Sequence, residues 1–275
     1  MALALAACSG SNSTGSAAGA GPSSQAATTG GQAASGGSLS AAQAVRLAAR
    51  QARTIRSYSI KLSTATTGAI SDTVSGTMQL RVKPSLLAGM KLTIGASGVT
   101  QPVNEILTPK AAYIKLPGLG SPSKPWIRLS LTGGNATGAA IGQLLRAIET
   151  SNPQNQTEML TASKDLHKTG TQIINGIPTT RYTGSYSIRA ALRQLPAGLR
   201  KLSGAAITSL GVSTVHFTIW IDGQHQTRKI VTVESGNGAT ITSRLQVFAI
   251  NQPVHVALPP ASQVGPAPAA LKNAT

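Results

Sequence analysis

The sequence predicts an α+β fold in which helices pack on one face of a large antiparallel sheet. Two observations predict it. Many short segments alternate apolar and polar residues with a period of two and are separated by Gly and Pro, which is typical of antiparallel strands with one buried face. Segments with helical spacing of apolar residues begin the folded region and separate two runs of such strands, as in α+β proteins. A curved sheet covered by helices can enclose an apolar cavity.

Composition restricts both the core and the partners. Hydrophobic residues make up 41% of the 275 residues but aromatic residues only 3%, so the core must be aliphatic. Lys and Arg number 24 against 7 Asp and Glu, and the resulting net charge of +17 favours an anionic partner such as lipid head groups or cell-wall polymer. We expect no nucleic-acid partner, because too few aromatic side chains are present to stack on bases.

The N-terminal region contains the single cysteine of the sequence, in the string Leu5-Ala6-Ala7-Cys8. This string resembles a bacterial lipobox, in which a small residue precedes a cysteine that receives a diacylglyceryl thioether. We therefore expect Cys8 to carry acyl chains such as palmitate and to hold the protein on the extracytoplasmic face of the cell membrane. Residues 1–7 would be the remnant of a signal peptide, because a complete signal has a basic segment and ~7–15 apolar residues. We suspect that the start codon is misassigned, and a true start at Met1 would argue against export.

A tether and a helix follow. Residues 8–37 form the predicted lipidated flexible linker, since residues 9–37 contain no charge, and a chain of this length reaches roughly 30 Å. Residues 39–56 follow as an amphipathic helix, with Ser40 and Gln43 in a capping-box pattern. Its basic face is either solvated or in contact with anionic lipid at the membrane surface. The residues of that face are Arg46, Arg50 and Arg53.

We predict the remaining strands and helices from the spacing of apolar residues and from the residues that favour turns. Alternating segments predict strands over 57–129 and again over 214–250, with turns at Asp222-Gly223 and at 236–238. Helical patterns cover 141–148, 153–166 and 187–210, the last broken at Pro196, and a hairpin is predicted around Asn175-Gly176. We predict a single lipoprotein domain over residues 38–258 and a disordered Pro- and Ala-rich tail over residues 259–275.

Motifs for catalysis and metal binding are missing from the sequence. It contains no G-x-S-x-G, no G-x-x-x-x-G-K-[ST] and no H-E-x-x-H. None of the 4 histidines has a second ligand at metal-binding spacing, so we expect no metal site and no cofactor. The acidic residues are dispersed along the chain, and a two-carboxylate hydrolase therefore stays a hypothesis without positive support.

The order of several segments resembles a known family, the actinobacterial lipoproteins of the LppX/LprA/LprF/LprG type, with their LolA/LolB-like fold. The segments are the lipobox with its linker, the opening helix leading into Ser57-Tyr58-Ser59-Ile60, the stretch from Asn175 to Gly184 leading into 188–192, and Ile219 to Gln224 followed by Arg228-Lys229. The resemblance implies a half-barrel of antiparallel strands with helices over its concave face and a cavity that accepts lipid or glycolipid acyl chains. It also implies an envelope carrier or chaperone rather than an enzyme. Cys8 is the functional position that it transfers, and it implies no catalytic residue.

The leading hypothesis is therefore a membrane-anchored protein for lipid binding and lipid transport. For any single candidate for lining the cavity, packing in a dry core is the expected role, and the cavity is the hypothesis for the set. The candidates are Leu80, Val82, Leu92, Ile94, Leu192, Leu195, Leu199, Phe217, Ile219, Leu245 and Val247. The alternative is an envelope sensor or scaffold that binds a protein partner or anionic wall polymer through its basic surface. Exposed apolar area inside a cavity would favour the carrier, and an outer patch would favour the scaffold.

Overall fold

The computed structural model describes residues 39–68, 71–96, 98–130, 153–195 and 211–266. Cys8 and the linker, the predicted helix at 141–148 and Leu199 lie outside the described residues. Within these ranges the chain forms twelve strands and three α-helices. The strands are β1 Ser57–Gly68, β2 Asp72–Arg81, β3 Leu87–Ala96, β4 Val99–Leu107, β5 Ala111–Lys115, β6 Trp126–Ser130, β7 His167–Ile174, β8 Ile177–Ser187, β9 Thr214–Asp222, β10 Thr227–Gly236, β11 Ala239–Ile250 and β12 Val264–Pro266. The helices are α1 Ala41–Ala52, α2 Pro153–Leu160 and α3 Ile188–Leu192, and Ala261–Gln263 form a 3₁₀ turn.

All strands belong to one open, strongly curled sheet, consistent with a half-barrel. Its order is β12-β6-β5-β4-β3-β2-β1-β11-β10-β9-β8-β7. Neighbours are antiparallel except β12 and β6, which are parallel. The first run of strands joins the second through β1, which pairs with both β2 and β11. Among the described strands, β12 and β7 therefore lie at the two edges of the sheet.

The C-terminal tail departs from the prediction of disorder beyond residue 258. Val264–Pro266 pair with Trp126–Arg128 of β6, and Gly265 is buried. The physical reason is that β6 would otherwise present an unpaired edge, and a short strand from the tail satisfies its backbone groups. Order thus extends to at least residue 266.

Helices α1 and α3 begin directly after a capping serine, Ser40 and Ser187, and α1 and α2 end earlier than predicted. Ser40 Oγ accepts the Gln43 N–H at 3.2 Å, and the Ser40 N–H donates to Gln43 Oε1 at 2.9 Å, which is the predicted capping box. Helix α1 ends at Ala52 rather than at residue 56, because the following amides bond three residues back and turn the chain into β1. Helix α2 likewise ends at Leu160, where three successive amides make such tight bonds.

Strand register places most of the core on one side of the sheet, here called the apolar face and defined by Ile60, Leu80, Leu245 and Ile219. Directly paired residues point to the same side of a sheet. Leu245 pairs with Leu62 on β1 and with Ile230 on β10, so the two core clusters of the protein share this face. Ala44, Val45 and Ala48 of α1, Leu160 of α2 and Ile188 of α3 pack in the second cluster, against β8, β9 and β10.

Candidate functional site

A continuous row of mostly aliphatic residues crosses the apolar face. It runs through directly paired residues of eight neighbouring strands, from β4 to β8. Its members are Val103, Leu92, Gly76, Leu62, Leu245, Ile230, Ile219 and Tyr182. Gly76 contributes no side chain to this row between Leu62 and Leu92. A Cβ at Gly76 would collide with the main-chain oxygen of Lys91, so the backbone requires glycine at this position.

The apolar face is closed at one end and partly open at the other. Tyr58, Ile60 and Leu80, toward the C-terminal end of α1, are at most 2% exposed. Farther along the same strands Leu62 and Leu92 are half-buried, and Ile94 is 37% exposed. We call the second group the open end of the apolar face; it comprises Leu62, Val74, Leu92, Ile94 and Ile241.

A polar row borders the aliphatic row toward the open end. Thr64 on β1 is paired with Ser243 on β11, which is paired with Thr232 on β10. The hydroxyl oxygens of Thr64 and Ser243 lie 3.1 Å apart, within hydrogen-bond distance. Aliphatic and hydroxyl side chains therefore lie side by side on one face, an arrangement that suits an amphiphile.

The predicted cavity residues do not all meet at one place. Leu80, Leu245 and Val247 are buried in the first core cluster, with Val82 and Leu92 packed against it. Phe217 and Ile219 are buried in the second cluster, with Leu192 packed against it, and Leu195 is buried after α3. Leu92 and Ile94 alone among the described candidates lie at the open end, and the buried candidates contact other side chains of the protein.

Two carboxyl groups also lie on the apolar face, and the sequence interpretation had treated them as dispersed. Glu105 pairs with Met90 and Ile114, and Glu234 pairs with Val215 and Ile241. Burial raises the pKa of Glu105 to about 6 and also raises the pKa of Glu234. Neither carboxyl makes a hydrogen bond or an ion pair with another residue in the described part of the chain. Glu105 is two residues from Val103 on β4, and Glu234 is four residues from Ile230 on β10, so the strand period places each carboxyl on the same face as its apolar neighbour. This alternation could have revealed them from the sequence.

A cleft of about 630 Å³ lies where α1 begins, beside the edge strand β7. None of the cavity candidates among the described residues lines it, and Tyr182, the last member of the aliphatic row, is part of its wall. Its walls are Leu39, Ala44, Thr171, Gln172, Ile173, Pro178, Thr179, Thr180, Tyr182, Ile221, Asp222, Gly223 and His225. Leu39 is 45% exposed and Ile173 is 68% exposed, so the cleft has apolar side chains at its rim.

Hydrogen bonds fix the strands and turn around the cleft. Asp222 Oδ1 accepts the N–H groups of Gln224 and Gln226 at 2.9 and 2.8 Å, while Oδ2 accepts from Arg228 Nε at 2.6 Å. The Asp222 side chain is 3% exposed, which makes this a buried ion pair. Trp220 Nε1 donates to Gln172 Oε1 at 2.8 Å and ties β9 to the edge strand.

The basic candidates of α1 differ from one another in their contacts. Arg46 and Arg50 are exposed. Arg53 donates to Glu158 of α2 at 2.8 Å, so its charge is already paired at the protein surface. In the described ranges no helix is long and apolar enough to cross a membrane, and no group of three or more metal-ligating side chains comes together.

Comparison with known sequences gives one partial match. No protein-family profile matches the chain. An uncharacterized 31.2 kDa protein of Streptomyces griseus is 32% identical over 104 residues. That match covers 36% of this chain and 34% of the curated protein, so the chain spans about a third of the length of that relative.

The chain is similar to LprF and LppX. LprF from Mycobacterium bovis matches 80% of this chain and 96% of its own length at 13% identity, with a TM-score of 0.49. The lipoprotein LppX from Mycobacterium tuberculosis matches 79% of this chain and 98% of its own length at 19% identity, with a TM-score of 0.47. A LolA superfamily protein from Nitrosomonas europaea covers 80% of this chain at 9% identity, with a TM-score of 0.22.

Proposed function

We propose that this protein is a non-enzymatic, membrane-anchored lipoprotein that binds the acyl chains of a lipid or glycolipid on its apolar face, as an envelope carrier or chaperone. The observation that carries the proposal is the aliphatic row, which leads from buried core residues to the half-buried Leu62 and Leu92. Exposure of these apolar side chains to water at the open end of the sheet is unfavourable and is typical of a binding surface. The hydroxyl row beside it offers hydrogen bonds to the polar part of an amphiphile.

Burial of an acyl chain is enough to stabilise such a complex, and no covalent or catalytic step is required. Each buried methylene contributes ~0.8 kcal/mol, so ten methylenes along the row would contribute roughly 8 kcal/mol before the cost of ordering the chain. Cys8 would supply the anchor on the extracytoplasmic face, and the linker to residue 37 would separate the folded domain from the membrane.

The test uses the full chain with Cys8→Ser, which removes the proposed anchor but keeps the domain intact. We expect native mass spectrometry and organic extraction to recover a reproducible lipid from the purified protein. Leu92→Gln should lower the lipid occupancy, because it places an amide in the aliphatic row. Thr93→Gln is the matched control, since the adjacent Thr93 points to the opposite face and is exposed.

The outcomes of this test separate the two candidate functions. A protein free of lipid that also takes up no added phospholipid would contradict the carrier. The net charge of +17 favours the second candidate, a sensor or scaffold that binds anionic wall polymer or an envelope protein. That candidate predicts salt-sensitive binding to such a polymer by the Leu92→Gln protein as well as by the parent.

A further inference from the structure

The rim of the cleft is unusually apolar for an exposed surface. It consists of Leu39 before α1 and of Ile173 and Pro178 in the β7–β8 hairpin, and all three are exposed. Single exposed apolar residues are common in proteins, but these three border one depression. Ile173, at 68%, has the largest exposed fraction among the exposed large apolar side chains of the described residues.

This rim is held on rigid structure. The hairpin turns through Asn175 and Gly176, whose φ angles are 50° and 77°, values that Asn and Gly tolerate in a tight two-residue turn. Asn175 Oδ1 accepts a hydrogen bond from Gln246 Nε2 at 2.7 Å, and Gln172 accepts one from Trp220. The exposure of Ile173 is thus built into an edge strand, where proteins usually place charges to prevent adventitious pairing.

The course of the chain indicates what covers the rim. Leu39 is the residue at which the uncharged segment that starts at Cys8 reaches the folded domain. The composition of that segment predicts a reach of roughly 30 Å. An anchor at Cys8 would therefore keep the surface around Leu39 within roughly that distance of the bilayer.

Charge also favours a bilayer over a second copy of this protein. Two copies that each carry +17 repel one another, whereas an anionic membrane attracts them. Among the described residues that line the cleft, Asp222 is the one carboxylate, and Arg228 neutralises it. Arg46 and Arg50 are exposed on the helix that begins at the rim.

We propose that the rim formed by Leu39, Ile173 and Pro178 docks on an anionic lipid bilayer, with Ile173 inserted at the boundary between head groups and acyl chains, so that the cleft opens onto the membrane. The orientation rests on the anchor at Cys8 in the proposed function. Contact between the rim and lipid does not depend on that anchor, since it follows from exposed apolar area and positive charge.

The experiment uses the full chain with Cys8→Ser, which contains no cysteine because Cys8 is the single one. Ile173→Cys and, as the matched control, Val99→Cys are each labelled with an environment-sensitive fluorophore. Val99 is 58% exposed and lies in the β3–β4 hairpin, on strands distant from β7 in the sheet. On addition of vesicles of phosphatidylglycerol and phosphatidylcholine, we expect a blue shift and increased emission at position 173 and little change at position 99.

Charge substitutions supply the second measurement. Ile173→Glu should weaken vesicle binding at least roughly tenfold, as expected for losing the burial of one aliphatic side chain. Val99→Glu should leave it close to the parent. Equal responses at positions 173 and 99, or unchanged binding by Ile173→Glu, would overturn the proposal, as would a change in oligomeric state confined to the Ile173 variant.

The same samples distinguish this proposal from the lipid-carrier function. Organic extraction of the Ile173→Glu protein reports on the lipid held at the apolar face, independently of vesicle binding. Loss of vesicle binding with retained lipid would support both proposals. A lipid-free protein whose position 173 still enters vesicles would refute the carrier and support the docking surface.

Discussion

At the scale of single residues, Glu105 is an acidic group in an apolar environment. Its carboxyl lies between Met90 and Ile114 on the apolar face, and burial raises its pKa from 4.5 to about 6. Below pH 4.5 the group is protonated in both the folded and the unfolded chain and has no net effect. Between pH 4.5 and about 6, Glu105 loses its proton in the unfolded chain before it does so in the folded chain, so the free energy of unfolding falls as the pH rises. Above pH 6 the loss in the free energy of unfolding is constant, on the order of 1–2 kcal/mol.

Glu105→Gln removes this ionisation. We expect the variant to have a higher free energy of unfolding than the parent at pH 7, and no such advantage at pH 4. Urea denaturation at the two pH values measures the difference, and the low-pH pair serves as the control for the packing effect of the amide. A stabilisation of equal size at both pH values would show that the charge of Glu105 is not responsible. Carboxyl carbon shifts in an NMR titration would report the pKa directly.

Prediction from the sequence succeeded at the residue scale where the interacting residues are close in the chain. Ser40 with Gln43, and Asn175 with Gly176, are interactions within a few residues, and both appear in the structure as expected. The environment of Glu105 was not predicted, because it depends on strands that pair from elsewhere in the chain. The cleft was missed for the same reason, since its walls come from α1, β7, β8 and the β9–β10 turn.

At the scale of elements, the β9–β10 hairpin depends on the buried pair of Asp222 and Arg228. Removing one partner of a buried pair leaves the other charge desolvated, which typically costs ~3–5 kcal/mol. We expect Asp222→Ala to lower the free energy of unfolding by about 3 kcal/mol, because it also removes the acceptor for two turn amides. The measurement is equilibrium denaturation by urea at pH 7.

The pair of Arg53 and Glu158 provides the comparison for this prediction. It joins α1 to α2 at the surface, where ion pairs contribute roughly 0–1 kcal/mol. Glu158→Gln should therefore change stability by less than about 1 kcal/mol. Similar losses in the two variants would show that burial does not govern the strength of these pairs.

The lengths of elements were harder to predict than their positions. The helical patterns over 39–56 and 153–166 indicated helices at the right places, but α1 and α2 end at Ala52 and Leu160. Apolar residues continue with helical spacing beyond those points, as Ile55 does after α1. The chain instead turns there to enter strands, since pairing in the sheet satisfies more backbone groups than another helical turn. Strand β12 was missed because three residues with a proline carry almost no periodic signal.

At the scale of the whole molecule, a single pairing joins the two runs of strands. Alternation predicted an antiparallel sheet with one apolar face, and this part of the fold is present. The pairing of β1 with β11, residues nearly the whole domain apart, cannot be read from local patterns. It aligns Leu62 with Leu245 and so makes one continuous apolar face from two separate runs. The sequence does not give this alignment, so it could not show that the predicted cavity residues belong to two core clusters on that face.

The last prediction concerns how the whole protein is held at a membrane. Charge attraction and acylation are independent contributions, and they respond differently to salt. At 1 M salt the screening length is ~3 Å, so attraction between the +17 protein and anionic lipid is largely lost, whereas burial of acyl chains is not weakened. We expect the chain acylated at Cys8 to stay with phosphatidylglycerol vesicles in 1 M salt. The Cys8→Ser chain should bind at low salt, through its charge and the apolar rim, and dissociate as salt is raised. Flotation of the two proteins over a salt series measures this, and elution of both at the same concentration would show that Cys8 does not act as the anchor.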